Sequence, residues 1–438
     1  MKNIKIYLSI LFIALVMPSC NKWIDPDINT DPDALSKPTV SILLPGIEAG
    51  MGYYIGGTDL AGTQAVWTQQ LKGTDRQFKA IDNYVLRESD TDNLWSSLYD
   101  VMNDTKIMID LVENATNKSP HVAGAGKVIM ALLLGNLTDA FGDIPYTEAL
   151  QGADNLTPAY DSQESIYNEI FSLLDAAISD LQAAENTVAI APDYIYGGDA
   201  SSWLKAAYTL KARYMMHLSA VSSVDYNAVI SNLDNGLASI GDDMEQPFGT
   251  SSAENNPMFQ FWQQRSGYID SNLGFDTVYM NGDPRQSVLQ FSGDGFWTQK
   301  DAPVAFVQYT EALFIKAEAQ YRMGSEDNAK ATLKEAIRSS LTKYGVMDGA
   351  DSWLATMDSA IDSASGEGLL EMIMTEKYKH MYLQTEAFVD LRRTGYPKLT
   401  PTAGDKLPSH YPYPTSETSY NKDNVPDVSV FTKMWWMP

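Results

Sequence analysis

The chain is almost without cysteine. The single one, Cys20, follows a 13-residue uncharged stretch from Ile6 to Pro18. One thiol excludes a disulfide framework and any zinc site built on cysteines. Histidine is nearly as scarce. His121, His217, His380 and His410 are scattered, no two stand at metal-ligand spacing, and no H-E-x-x-H run occurs. Positive charge is short as well: 31 Lys and Arg face 56 Asp and Glu, for a net charge of −25 and a pI near 4.4. That excludes nucleic acid, because little is present to neutralise phosphates. Neutral ligands are the natural partners. No apolar run in the leader reaches the about 20 residues that span a bilayer.

Catalytic signatures are missing too. There is no G-x-S-x-G elbow, and Ser340-Leu-Thr-Lys343 matches S-x-x-K without its S-D-N or K-T-G companions. Gly124-Ala-Gly126-Lys127 hints at a phosphate loop but lacks the earlier glycine, and Val128 stands where Ser or Thr is needed. Asp25-x-Asp27-x-Asn29 begins like a calcium loop, but Thr30 and Ser36 occupy the glycine and glutamate positions. A glycosidase needs two carboxylates facing each other roughly 5 to 10 Å apart. Acidic residues abound here, and abundance selects no pair.

What is present starts at the N-terminus. Lys2 and Lys5 precede the apolar stretch, and Pro18-Ser19-Cys20 reads as a lipoprotein signal-peptidase site. Residues 1–19 are then a lipoprotein signal peptide and Cys20 the lipid attachment residue. Acyl chains contribute about 0.8 kcal/mol per buried methylene, and more than one chain is needed for a stable anchor. Residues 20–38 carry Asp25, Asp27, Asp31 and Asp33 between Pro26, Pro32 and Pro38. Such sequence buries too little apolar area to offset its ordering entropy, so it reads as an acidic tether.

From 39 to 438 the pattern reads as one mainly α domain. Helices are expected at about 39–52, 57–80, 90–115, 119–140, 162–184, 199–221, 224–239, 303–323, 326–343, 350–363 and 366–394. Asp161 or Ser162 caps a helix with the stripe Ile166, Ile170, Leu173, Leu174, Ala177, Ile178 and Leu181. Gly324 and Gly395 end helices. Leu313, Ala317, Gly324, Ala329, Leu333 and Ala336 fall on the large and small positions of a tetratricopeptide unit. The expected fold is a degenerate tetratricopeptide-like helical-repeat scaffold at about 90–240 and 303–394. Two irregular extensions decorate it: a loop-rich, aromatic-rich ligand-binding part at about 240–302, and a proline-rich C-terminal part at 395–438.

Leu137-Thr-Asp-Ala-Phe-Gly-Asp-Ile-Pro-Tyr-Thr-Glu-Ala-Leu150 resembles the signature of SusD-like (SusD/RagB) proteins. Further pieces agree in order: Tyr160 to Tyr167, Asp283-Pro-Arg285, Ala317 to Arg322, Glu376-Lys-Tyr378, Glu386-x-x-x-Asp390-Leu-Arg392, Tyr411 to Glu417, and Trp435-Trp436. One departure is Ser409-His410, where the family often has arginines. The resemblance spans essentially the whole mature chain. It implies a non-catalytic, lipid-anchored outer-membrane protein exposed at the cell surface. Such a protein binds a nutrient, most often a glycan, and delivers it to a SusC-like TonB-dependent transporter. A surface glycosidase and an adhesive or peptide-binding lipoprotein are the alternatives.

Sugar rings present flat C–H faces that stack on Trp and Tyr, while their hydroxyls bond nearby polar groups. On that ground the expected ligand-binding residues for an oligosaccharide are Trp262, Tyr268 and Trp297, with Arg265 and Gln263. A second cluster is Tyr53, Tyr54, Trp67 and Arg76. Trp95 with Tyr99, and Trp203, read as helix packing, Trp435-Trp436 as a plug, and Asp139 and Asp143 as caps of backbone N–H groups. No cofactor or metal is called for; a structural calcium ion stays open because loop carboxylates are plentiful.

Overall fold

A computed structural model describes residues 38–438. The signal peptide, Cys20 and nearly all of the tether lie outside the described residues. The chain enters through α1 (Val40–Ile55), a π-helical turn (Thr58–Gly62), α2 (Thr63–Trp67), β1 (Leu71–Gly73) and α3 (Arg76–Asp82). The continuous helix expected at 57–80 is therefore broken into short pieces. Gln69 sits at φ 60° just before β1, a conformation that no helix interior contains.

Four longer helices follow: α4 (Glu88–Glu113), α5 (Pro120–Phe141), α6 (Gln163–Leu181) and α7 (Ala200–His217), then α8 (Tyr226–Asp234). Their starts are chemically marked. Asp90 accepts the Arg87 N–H at 2.9 Å, Pro120 opens α5, Ser162 Oγ accepts from Ser165 N–H, and Asp199 accepts from two N–H groups of α7. Asp161 turns away from the cap and accepts from Tyr146 and Thr147 N–H, both at 2.8 Å. Asp143 accepts from Gln163 N–H at 2.7 Å, as expected of a cap. Asp139 does not cap; its carboxylate takes Tyr167 Oη and Trp436 Nε1.

α5 is apolar all round and buried, with neighbours on both sides. It lies very close to them. A Cβ on Gly124 would meet Leu181 Cγ at 2.7 Å, and one on Gly135 would meet Tyr214 Oη at 2.1 Å. Gly124-Ala-Gly126-Lys127 is therefore a helix-crossing stripe inside α5, not a phosphate loop.

The segment 240–302 holds β2 (Met244–Gln246), α9 (Pro257–Gln264) and β3 (Ile269–Ser271), with β4 (Val304–Val307) beyond it. β1 pairs antiparallel with β3, Leu71 opposite Ser271, and β2 pairs antiparallel with β4. α9 was not expected, and β4 replaces the first turn of the helix expected at 303–323.

α10 (Tyr309–Arg322) and α11 (Glu326–Lys343) form the repeat pair, turning at Gly324 with φ +77°. Leu313, Ala317, Ala329, Leu333 and Ala336 are buried together, as the repeat pattern requires. α12 (Asp351–Ser363), α13 (Glu367–His380) and α14 (Glu386–Thr394) follow, with a short α15 (Thr415–Tyr420) in the C-terminal part. The helix expected at 366–394 is two helices. Leu383 has φ 62°, and the buried Gln70 amide bonds the freed Tyr378 carbonyl and Leu383 N–H. Val40–Pro438 forms one compact unit.

Buried ion pairs tie the helices together. Arg213 pairs with Glu311, His217 Nε2 with Glu386 at 2.9 Å, Lys377 with Asp390 at 2.7 Å, and Arg393 with Glu318 at 2.6 Å. Trp436 is fully buried beside them, while Trp435 stays 37% exposed, so only one of the closing tryptophans plugs the body.

Candidate functional site

Of the two expected clusters, Tyr53, Tyr54 and Arg265 line one groove of about 280 Å³. The end of α1 supplies Tyr53 and Tyr54, the π turn supplies Thr58 and Asp59, and α4 supplies Asn93. α9 supplies Pro257, Gln260, Phe261 and Gln264, and Arg265 follows it. These four α9 positions fall at i, i+3, i+4 and i+7, so one helical face lines the groove.

Small residues make the tyrosine wall possible. A Cβ on Gly57 would lie 2.5 Å from the Tyr53 carbonyl oxygen, and one on Gly52 would lie 2.6 Å from Gln246 Cγ. The chain can thus turn tightly behind Tyr53 and Tyr54. Their rings pack edge to face, 5.4 Å between centroids at 87°. Tyr53 is 49% exposed, an aromatic surface open to a ligand. Phe261 is held from behind by Phe78 at 5.2 Å and Tyr268 at 6.1 Å.

The polar groups are mostly uncharged amides and hydroxyls. Asp59 Oδ2 accepts from Asn93 Nδ2 at 3.4 Å, and desolvation holds its carboxyl above the usual carboxylate range. Arg265 is exposed and makes no ion pair among the described residues. Such a groove offers a stacking face, a set of neutral donors and acceptors, one cation and one carboxylate.

Not every expected residue is there. Trp67 is fully buried, donates Nε1 to the Ile81 carbonyl at 3.2 Å and packs on Phe388 and Tyr411. Trp297 is 5% exposed and donates Nε1 to Tyr344 Oη at 3.1 Å. Both are core residues, which corrects their assignment to a stacking surface. Trp262 is half-buried and packs over Gly293, where a Cβ would meet it at 2.7 Å, so it too leaves the groove. Gln263 is exposed on α9 but off the groove-lining face. Tyr268 stands behind Phe261, and its carbonyl accepts from Thr74 and Asp75 N–H. Arg76 is exposed, with Asp75 at 3.6 Å. Thr58, Asp59, Asn93, Gln260 and Gln264 were not singled out from the sequence. The α9 stripe was the readable signal; Asn93 carried none.

One cluster has metal-ligand chemistry. Asp139, His217 and Glu386 place ligand atoms within 4.8 Å of one another, all buried. The imidazole uses opposite edges, Nδ1 3.5 Å from Asp139 and Nε2 2.9 Å from Glu386. One ion cannot take both edges. The carboxylates outweigh desolvation and raise the imidazole to about 9, and Arg213 lies 3.6 Å from Glu386. This is a cationic histidine between two carboxylates.

A SusD-like family, described as starch-binding and associating with the outer membrane, matches residues 32–295 and 286–414. No curated protein matches the chain. Among solved structures, a SusD/RagB family protein of Bacteroides thetaiotaomicron is similar, with a TM-score of 0.78 and 24% identity over 91% of this chain and 99% of that one. A chitin-binding protein has a TM-score of 0.74 and 22% identity, over 91% and 99%. A SusD homologue of Bacteroides fragilis has a TM-score of 0.75 and 23% identity over the same shares. These likenesses show the fold, mainly α with few strands. The family match covers well over half of the sequence, so the chain belongs to the SusD-like family of outer-membrane nutrient-binding proteins.

Proposed function

We propose that this protein captures a neutral oligosaccharide in the groove between α1, the π turn and α9, and passes it to a SusC-like TonB-dependent transporter. It does so from the cell surface, anchored in the outer membrane through lipid on Cys20. The carrying observation is the 49% exposed ring of Tyr53 beside Tyr54, faced by Gln260, Gln264, Asn93 and Arg265. A pyranose face buries apolar area on a tyrosine ring, and amides bond its hydroxyls. The name of one similar structure, a chitin-binding protein, supports a neutral sugar.

The groove supports binding without bond cleavage. Glycosidases of the usual kind set two carboxyl groups across the scissile bond. Of the residues lining this groove only Asp59 carries a carboxyl. The test is titration of the purified full-length mature chain with a panel of neutral oligosaccharides, with product analysis on the same samples. Saturable binding without new reducing ends is expected. Sugar release would reject the binder reading, and silence across the whole panel would favour a peptide or adhesive role.

A further inference from the structure

Four arginines are buried among the described residues: Arg213, Arg285, Arg392 and Arg393. Three face carboxylates directly: Arg213 faces Glu311, Arg285 faces Asp283 and Glu376, and Arg393 faces Glu318 and Asp390. Arg392 pairs with no carboxylate at ion-pair distance among the described residues. Its Nε donates to the Phe388 carbonyl at 3.1 Å, and its Nη1 donates to the Asp139 and Ser409 carbonyls, both at 2.7 Å. Nη2 has no partner. The guanidinium carbon lies 3.8 Å from the Phe388 ring centroid and 4.8 Å from that of Trp436. Carbonyls and ring faces supply only part of what a counter-charge would, and burial lowers the guanidinium pKa to about 10. The attraction of Asp139 reaches it, but that carboxylate already accepts from Tyr167 and Trp436.

Arg392 forms part of the wall of a pocket of about 410 Å³. Lys406 and Lys433 stand on the same wall, and Asp405 is the single carboxylate. Three cations to one side-chain carboxylate is an exception on a chain of net charge −25. Lys433 is engaged by the Pro438 oxygen at 2.5 Å. Lys406 is exposed and makes no ion pair among the described residues. The remaining lining is largely apolar, with Leu399, Leu407 and Phe431 the main surfaces.

We propose that this pocket binds a carboxylate carried on an apolar body. The carboxylate sits by Lys406 and supplies the negative charge that Arg392 lacks, while the body lies on Leu399, Leu407 and Phe431. Nη2 is closed from solvent, so Arg392 acts through its field and not by contact. The site is built from the C-terminal part and α14 and is independent of the sugar groove.

The test is calorimetric titration of the full mature chain with decanoate below its micelle concentration, at low salt. Decan-1-ol keeps the body without the charge, acetate the charge without the body, and decyl phosphate changes the headgroup. Decanoate should saturate one site, with the alcohol and acetate at least about tenfold weaker. Lys406→Glu should weaken decanoate about tenfold at unchanged Tm, since that side chain is exposed. Phe431→Ala, at a 41% exposed position, should weaken it as well. Equal affinity for decanoate and decan-1-ol overturns the proposal. So does full affinity in Lys406→Glu, or binding of decyl phosphate with decanoate silent.

Discussion

The fully buried carboxyl of Glu48 stands close enough to the carboxylate of Asp193 for the two to repel. Asp193 is already saturated by donors: Ile195 and Tyr196 N–H at 2.9 Å, Gly198 N–H at 3.0 Å and Trp203 Nε1 at 2.8 Å. Asp193 offers Glu48 no donor, and its proximity together with burial favours the protonated form of Glu48. Glu48 Oε2 accepts from Tyr194 N–H at 2.9 Å, and Glu48 is fully buried. Desolvation first, then the neighbouring Asp193, raise its pKa from 4.5 to about 9. The sign follows. Below 4.5 the acid is protonated in both folded and unfolded chains; above it only the unfolded chain loses the proton. Stability is thus lost as pH rises toward 9. Glu48→Gln keeps the hydrogen bond from Tyr194 N–H and has no proton to lose. Its Tm should exceed that of the parent at pH 8 by several degrees, a gain on the order of a few kcal/mol, with little difference at pH 5. Thermal unfolding at the two pH values checks this. A Tm difference that does not change with pH would mean that folding does not hold the proton on Glu48.

Tyr53 and Trp67 separate surface from core. Tyr53→Ala should weaken oligosaccharide binding by about 1–3 kcal/mol and leave Tm unchanged, because the ring is half out of the body. Trp67→Ala should cost about 3–5 kcal/mol of stability through the cavity left under Phe388 and Tyr411. Calorimetric titration and thermal unfolding of both variants read out the contrast. Unaltered affinity in Tyr53→Ala would detach the ring from the site.

That contrast also marks what could be read without coordinates. Tyr53 and Tyr54 stand between glycines, and a glycine-flanked aromatic pair announces a chain turn at a surface. Trp67 and Trp297 gave no such sign, because flanking residues do not tell which face of a short element is covered. The repeat pair was legible at Leu313, Ala317, Ala329, Leu333 and Ala336, where small and large residues alternate as crossing helices require. The break at Leu383 was not. It depends on Gln70, more than three hundred residues away, bonding the backbone that a helix would otherwise use. Asn93 was invisible for the same reason: α4 comes beside the π turn only through packing.

The buried ion network sets a stability window. Two arginines outweigh desolvation and lower Glu318 from 4.5 to about 2, so its contribution is present above 4.5 and lost as pH falls toward 2. His217 is raised from 6.5 to about 9, so its contribution is present below 6.5 and lost as pH rises through 9. Tm should peak between pH 4.5 and 6.5, toward the lower end, because the cost of Glu48 grows as pH rises above 4.5. Arg393→Met leaves Glu318 to Arg322 alone and Asp390 to Lys377 alone, and should destabilise by about 3–5 kcal/mol at pH 6. Denaturant unfolding across pH 3–9 measures both effects. A profile flat on both sides would assign the network no net role.

Gly135 tests how the repeat helices cross. It lies mid-helix in α5, where glycine costs roughly 1 kcal/mol relative to alanine, so Gly135→Ala would stabilise an isolated helix. Here the new methyl would lie 2.1 Å from Tyr214 Oη and 2.5 Å from its Cζ. The ring cannot retreat easily: Tyr214 is 1% exposed, packed 5.3 Å from His217 and 6.0 Å from Tyr167. Overpacking of this kind costs about 1–3 kcal/mol and outweighs the propensity gain. Tyr214→Phe removes only the hydroxyl, and the ring carbon Cε1 stays 2.6 Å from the same methyl, so the double variant should recover part of the loss but not all of it. A double-mutant cycle by denaturant unfolding measures that coupling. Full rescue would mean that only the hydroxyl sets the spacing of α5 and α7, and no loss in Gly135→Ala would mean that the helices move apart freely.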